Sequence, residues 1–334
     1  MTASALSSNA NDTASTTLAR AAQLVAPALD VAVDRLSPSL QAPLRHHLAG
    51  GGKRVRAALS LVSASAAGAD EEVGLPGAVA IELIHNYSLI HDDIMDGDTE
   101  RRHRSTVWAE YGVGPAIIAG DALSTLALQV LLDEPTPERV RAARSLVEAT
   151  QLMIAGQADD MAFESRTSVS VAECLAMESG KTSALLSCAA SLGAILAAAP
   201  SEVVDALAEF GSHLGTSFQA IDDVLGIWGE PARTGKPVGN DLSQHKKTLP
   251  VSFALARVDE NTDELRGLLE ADLSPDDVER ARMLLEASGA KEETVALADA
   301  HLESALAALD RVRLVPEPKS ELVAIAKFVT ERDR

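Results

Sequence analysis

The chain has 334 residues, 46% apolar but only 3% aromatic, and its 29 basic and 49 acidic side chains give a formal charge of 29 − 49 = −20. That length suits one large domain or two small ones, and an alanine- and leucine-rich, aromatic-poor composition suits packed helices. So acidic a balance argues against nucleic acid as a partner for the surface as a whole, although a local basic cluster can still hold a small anion.

Residues 1–18 are rich in Ser, Thr, Ala and Asn without a hydrophobic period, and read as a disordered tail, either inert or a docking peptide for a partner. The first basic residue is Arg20 and no apolar segment precedes it, so no signal peptide is expected. Residues 19–334 read as one folded domain. Thr17-Leu18-Ala19-Arg20 opens its first helical pattern, and Gly50-Gly51-Gly52 breaks the chain before Lys53-Arg54-Val55-Arg56. Glycines let a backbone approach an anion closely, and cations at the following helix start can hold it. Taken alone, the segment is simply a basic turn.

His85-Asn86-Tyr87-Ser88-Leu89-Ile90-His91 then runs into Asp92-Asp93-Ile94-Met95-Asp96, and Arg101, Arg102 and Arg104 follow with Asp98 and Glu100 among them. Asp92 and Asp96 are i and i+4, on one helix face. Asp121 is expected to begin another helix, and Pro135 and Pro137 to precede one over 138–164, which carries Gly156-Gln157 and Asp160. Gly180-Lys181-Thr182 repeats the glycine–cation theme. Cys174 and Cys188, the only cysteines, read as small core residues in a reducing compartment. The most apolar stretch, 185–200, contains Ser187, Ser191 and Gly193 and falls short of a membrane span. Further breaks are expected at Gly180, Pro200, Pro231 with Gly235, and Pro250.

In the second acidic cluster, Gln219, Asp222, Asp223 and Gly226 share a face at i, i+3, i+4 and i+7. A glycine-punctuated loop follows, Thr234-Gly235-Lys236-Pro237-Val238-Gly239-Asn240-Asp241, ending in Lys246-Lys247-Thr248. A loop this long in a helical protein is usually functional. Ser274-Pro275-Asp276-Asp277 is a helix start and Gly289 the end of that helix. The expected fold is all-α: a single-domain bundle of ten or more helices, its two aspartate-bearing helices facing each other across a central cavity.

Either aspartate cluster alone reads as a solvated helix end. Here each continues an apolar helical pattern, where close carboxylates repel unless neutralised. Mg²⁺ would neutralise them, and it is usually held by one or two carboxylates together with substrate phosphates. Flanking guanidiniums bind phosphate through forked hydrogen bonds. The combination points to diphosphate chemistry.

From residue 19 to the C-terminus these ordered motifs resemble the trans-polyprenyl diphosphate synthases, the isoprenyl chain-elongating enzymes of the isoprenoid synthase fold. The resemblance implies a Mg²⁺-dependent transferase with three ions, joining isopentenyl diphosphate to an allylic diphosphate (dimethylallyl, geranyl or farnesyl). Lys53, Arg56, His85 and Arg102 match the residues holding isopentenyl diphosphate. Asp92, Asp96 and Asp222 match the metal ligands, with Asp93 and Asp223 behind them. Arg101, Lys181, Lys236 and Lys246 match the cations on the allylic diphosphate, and Thr182 and Gln219 lie beside the reacting carbons. Gly156, Gln157 and Asp160 match a polar stripe turned toward the cavity.

The family's second motif usually ends in aspartate, where this chain has Gly226; activity is expected to survive with weaker metal affinity. Ser105 stands where the family often has proline. Tyr87, five residues before Asp92 and about 7.5 Å further along the axis, would form the floor that limits product length, with small Ser88 above it. In the family, that pattern suggests a C20 product, geranylgeranyl diphosphate, ahead of farnesyl diphosphate. Core packing is a compatible role for Tyr87. A non-catalytic subunit of a heteromeric synthase is supported only by Gly226, and a terpene cyclase would lack the Gly-Gly-Lys-Arg-x-Arg segment. A cytoplasmic homodimer is implied by the resemblance alone.

Overall fold

A computed structural model describes residues 3–230 and 238–330. It is all-α, and the only strands among the described residues are two short ones in a hairpin. The helices are α1 (Ala3–Asp34), α2 (Pro38–Leu48), α3 (Val55–Ala66), α4 (Leu75–Met95), α5 (Val107–Tyr111), α6 (Val113–Leu132), α7 (Pro137–Glu164), α8 (Val171–Glu178), α9 (Ala184–Leu196) and α10 (Ser201–Trp228). After the undescribed segment come α11 (Asn240–Ser243), α12 (Leu249–Leu255), α13 (Glu260–Leu269), α14 (Pro275–Ala287), α15 (Ala290–Asp310) and α16 (Pro316–Thr330). The hairpin pairs β1 (Glu100–Arg101) with β2 (Arg104–Ser105).

Contacts cluster into two compact units. The first comprises Met1–Thr150, Ser187–Glu209 and Ala308–Phe328. Its centre is α4 with α3 and α6, where Leu59, Leu61, Ile81, Leu83, Ile90, Leu123 and Leu126 are fully or almost fully buried. Each such side chain contributes about 1.5–3 kcal/mol of transfer free energy. Helices approach closely where small residues meet: a Cβ on Gly193 of α9 would lie 1.9 Å from the Ser60 carbonyl of α3. The second unit comprises Gln151–Leu186, Phe210–Ala307 and Val329–Arg334. Its apolar centre joins Ile227, Leu242, Val251, Leu265, Ala281 and Leu285.

Several local expectations need correction. Helix α1 begins at Ala3, so no disordered tail covers 3–18; Ala14, Thr17 and Leu18 are buried in the same stripe as Ala21, Val25 and Leu29. Alanine and threonine carried that stripe too weakly to register as a hydrophobic period. Asp121 lies inside α6 rather than at its start, because the turn at Gly112 begins that helix. Gly180 does not break the chain: α8 continues into α9 through a π-helical turn over Ser179–Ser183. Pro250 sits in the first turn of α12, where its missing N–H costs nothing. By contrast, Ser274 and Asp277 form the expected capping box with Pro275 in the first turn, and Gly289 follows at φ 75°. Two stretches, Glu71–Met95 and Val113–Leu132, are long and apolar enough to cross a membrane by length and composition, 61% and 39% buried respectively. The first carries the aspartate cluster at its end.

Candidate functional site

In the first unit the glycine turn builds a cationic cradle. Gly51 has φ 66° and Gly52 φ 151°, conformations that side chains disfavour. The Arg102 guanidinium donates to the Gly51 carbonyl, and a Cβ on Gly52 would lie 2.9 Å from Arg102 Nη1. Arg102 and His103 themselves form the β1–β2 turn at φ 53° and 60°, a strained geometry for residues that are not glycine. Arg54, at φ 52°, starts α3 and donates to Glu82 Oε2 at 2.7 Å. That pair is buried, with side chains 10% and 3% exposed, and Glu82 Oε1 also accepts from the Ala57 N–H at 3.3 Å. Arg56 reaches His85 Nε2 at 3.4 Å, while its own Nε is buried without a partner. A buried guanidinium N–H without an acceptor is costly unless an anion arrives. Lys53 Nζ stands 5.3 Å from the centroid of the Phe328 ring.

Burial, then the charge of Arg101 and Arg102, lowers His47 to about 4. His85 is held well below its ordinary value by burial and by Arg56, Arg102 and Arg101. Both imidazoles are therefore neutral at pH 7. In the unfolded chain they protonate near pH 6.5, so the unfolded state binds more protons as pH falls below that value. Stability should be full above pH 6.5 and decline down to about pH 4, by about 3 kcal/mol from His47 alone. Urea unfolding between pH 7.5 and 4.5 measures it, and His47→Gln should flatten the profile.

The first aspartate cluster ends α4. Asp92 is half-buried and Asp96 exposed, one turn apart on one face. Asp93 points elsewhere: it is buried, and its Oδ1 accepts from Arg101 Nε at 2.7 Å, so it aims Arg101 instead of facing solvent. His47, Asp93, Arg101, Arg102 and Thr106 line one pocket. Tyr87 is half-buried, its ring edge-on to His91 with centroids 4.9 Å apart, and burial raises its phenol. Ser88 Oγ donates to the His85 carbonyl. His91 is seated on Gly120 of α6, where a Cβ would lie 2.2 Å from Nε2.

In the second unit α7 crosses the α8–α9 run at backbone distance. A Cβ on Gly156 would lie 2.3 Å from the Lys181 nitrogen, and one on Gly180 2.8 Å from the Leu152 carbonyl. This crossing carries the π-turn, a distortion frequent at functional sites, and places Lys181 in an ion pair with Asp160. Gln157 Oε1 is buried without a partner. Thr182 Oγ1 donates to Gln219 Oε1 at 2.8 Å, Gln219 Nε2 donates to Asp223 Oδ1 at 2.9 Å, and Asp223 Oδ2 accepts from the Leu249 N–H at 2.8 Å. Burial raises Asp223 to about 6 despite these donors. Glu178, buried beside it, is raised well above the carboxylate range by burial and by Asp223's charge. Its Oε1 accepts from the Cys174 thiol at 3.3 Å and its Oε2 is buried without a hydrogen-bond partner, while the donors from Gln219 and Leu249 engage both oxygens of Asp223 and fix the Gln219 amide. Cys174 Sγ donates to the Lys247 carbonyl at 3.1 Å, so it joins this network instead of merely filling space. Lys246 follows α11, its N–H donating to the Asp241 carbonyl. Lys236 lies outside the described residues.

At the end of α4, Asp92 and Asp96 present hard oxygen donors of the kind Mg²⁺ takes, while Asp93 Oδ1 accepts from Arg101 and its Oδ2 is buried without a hydrogen-bond partner. On α10 in the second unit, Asp222 presents another such donor, while both oxygens of Asp223 accept from protein donors. Among the described residues no three His, Cys, Asp or Glu side chains converge on a ready-made metal site. In each unit taken by itself, one or two such carboxylates fit an ion completed by ligand phosphates. Sequence reasoning missed Glu82, Glu178 and Asp241. The first two carried a signal: each is an isolated glutamate on an apolar helix face, three residues before His85 and Lys181.

The polyprenyl synthetase family matches residues 37–286. The chain is 42% identical over 331 residues to a (2E,6E)-farnesyl diphosphate synthase of Mycobacterium tuberculosis, covering 94% of this chain and 92% of the relative. It is also 42% identical over 288 residues to a geranylgeranyl diphosphate synthase of the same organism, covering 84% and 80%. Among solved structures, a polyprenyl synthetase from Streptomyces coelicolor A3(2) superposes with TM-score 0.90 at 44% identity, covering 94% of this chain and 98% of that one.

Proposed function

The chain belongs to the polyprenyl synthetase family and is a prenyl transferase of all-α isoprenoid synthase fold, and we propose that it elongates an allylic diphosphate with isopentenyl diphosphate to a C20 product. The observation that carries this reading is the cradle around Gly51 and Gly52, where Arg56 keeps a buried, unpartnered N–H beside neutral His85. Lys53, Arg56, His85 and Arg102 bind the diphosphate of isopentenyl diphosphate there. Asp92, Asp96 and Asp222 would hold Mg²⁺, three ions by resemblance to the family. When bound, the metal draws negative charge from the departing allylic diphosphate.

Arg101, aimed by Asp93, and Lys181, paired with Asp160, bind that same leaving group, together with Lys236 and Lys246. They stabilise charge that develops as the carbon–oxygen bond breaks. Thr182 and Gln219, fixed by Asp223, set the polar wall beside the allylic cation. The isopentenyl double bond then attacks in trans geometry. A proton leaves for the released diphosphate, as no side chain among the described residues stands out as a dedicated base. Water must be kept from the cation throughout.

Tyr87 sets product length as the floor of the tail channel, its ring backed by His91 and small Ser88 above it. Farnesyl diphosphate is the runner-up, since relatives of equal identity carry both product names. The enzyme acts in the cytoplasm as a homodimer, for which exposed Val113, Ile117 and Ile118 on α6 offer an apolar stripe.

The test combines purified protein, Mg²⁺, isopentenyl diphosphate and each allylic primer, with dephosphorylated products sized by chromatography. A Mg²⁺-dependent C20 alcohol is expected; a C15 product keeps the chemistry and overturns the floor, and no elongation overturns the reading. Tyr87→Ala should shift products to longer chains in the same assay. Unchanged lengths would remove Tyr87 from the floor.

A further inference from the structure

The second unit brings together two histidines that the proposed reaction does not use. His213 on α10 and His301 on α15 place their Nδ1 atoms 3.0 Å apart, with ring centroids 5.0 Å apart and ring planes tilted by 52°. Both rings are half-buried. The backbone around them fixes the meeting. One turn along α10, the Ser217 hydroxyl donates to the Ala298 carbonyl of α15 at 2.7 Å, a buried bond. Ala298 and Ala305, three residues before His301 and four after it, are both 0% exposed. His301 therefore stands on the face that α15 turns inward.

A neutral imidazole carries one N–H and one lone pair. At this separation a single proton lies between the two Nδ1 atoms and a second would repel it. Burial, then the charge of His213, accordingly lowers His301. When the bridging proton moves through water to the Nε2 of its own ring, two lone pairs converge on one point and no net proton is released. Bonds of about 2.0–2.1 Å to a common ion separate two nitrogens by about 2.9 Å at a right angle and about 3.3 Å at a tetrahedral one. The observed 3.0 Å lies nearer the right angle, the geometry of Cu²⁺ and Ni²⁺ with nitrogen and oxygen ligands. No third His, Cys, Asp or Glu side chain joins the pair among the described residues, so water completes the coordination.

We infer that His213 and His301 form a two-imidazole site for a divalent transition-metal ion of the Ni²⁺ and Cu²⁺ class, and that the ion cross-links α10 to α15. The site is separate in chemistry from the carboxylates assigned to Mg²⁺: imidazole nitrogen suits transition metals, and carboxylate oxygen suits Mg²⁺. His213 lies six residues before Gln219 on α10, about 9 Å along the axis. An ion there braces the helix that carries Gln219 and Asp222.

The test is calorimetric titration of the full chain with Ni²⁺, excess Mg²⁺ being present to occupy the carboxylates, beside His213→Gln and His301→Gln. Wild type should take up one Ni²⁺ that each variant loses. Its melting temperature should rise with Ni²⁺, because a ligand bound only by the folded state stabilises it, and neither variant should show that rise. A second measurement needs no variant: with one equivalent of Cu²⁺, the electron spin resonance spectrum of wild type should show splitting from two nitrogens. Wild type taking up no Ni²⁺, either variant retaining the ion, or a Cu²⁺ spectrum without nitrogen splitting overturns the inference and leaves the pair a shared hydrogen bond. Prenyl transfer is decided separately, by the product assay.

Discussion

Asp92→Asn is expected to lower kcat by about 10²–10³-fold while the fold stands. Asp92 is half-buried at the end of α4, on the face it shares with exposed Asp96. An amide of the same shape keeps the packing but removes the charge a divalent cation requires. Substitutions at such positions usually change stability by less than about 0.5 kcal/mol, so urea unfolding should be unmoved. Asp93→Asn separates the two aspartates. Asp93 is 1% exposed and its partner is Arg101, so that variant should lose stability and raise KM for the allylic substrate, with the Mg²⁺ dependence of kcat unchanged. Asp92→Asn with wild-type kcat would remove Asp92 from the metal-holding set.

Glu82→Gln is expected to destabilise the protein by about 3–5 kcal/mol, the usual effect of removing one partner from a buried ion pair. Glu82 is the carboxylate that faces Arg54, and its charge also acts on Arg56 and Arg102. Its loss leaves a buried guanidinium uncompensated, and the single amide oxygen of Gln cannot accept from both Arg54 and the Ala57 N–H. Urea unfolding measures the stability. A companion variant, Arg54→Met with Glu82→Leu, distinguishes structure from function. An apolar replacement of both partners is often neutral for stability, so the pair should regain most of the loss. KM for isopentenyl diphosphate should nevertheless stay raised, because Arg56 and Arg102 would repel each other without the balancing carboxylate. Recovery of both quantities would reduce Glu82 to a packing role.

The acidic helices show how far local pattern reaches. That Asp92 and Asp96 share a face was legible from their i, i+4 spacing, as was the run from Gln219 through Gly226. Thr182 and Gln219 were both singled out, and the fold brings them to 2.8 Å. What hid from the sequence was the partner of each group. Asp93 and Asp223 look equivalent to their neighbours as letters, yet both are buried against donors. That Glu178 is buried beside Asp223 could not be read from its place in the sequence, because Asp223 lies far along the chain on another helix. The extent of α1 was hidden for a different reason: alanine and threonine bury little apolar surface each, so a stripe built from them barely rises above a polar background.

The amino-acid sequence by itself determined the all-α class, the two aspartate faces, the glycine–cation turn and the capped start of α14. All of these depend on side chains a few positions apart, where helix geometry or turn chemistry leaves little freedom. Only the tertiary structure decided that Asp93 serves Arg101, that Glu178 is buried beside Asp223, that Glu82 balances the cradle and that Asp241 lies on Gly226. Those pairings join residues distant in the chain, and they are chosen by close packing and by the cost of burying a charge or donor without a partner.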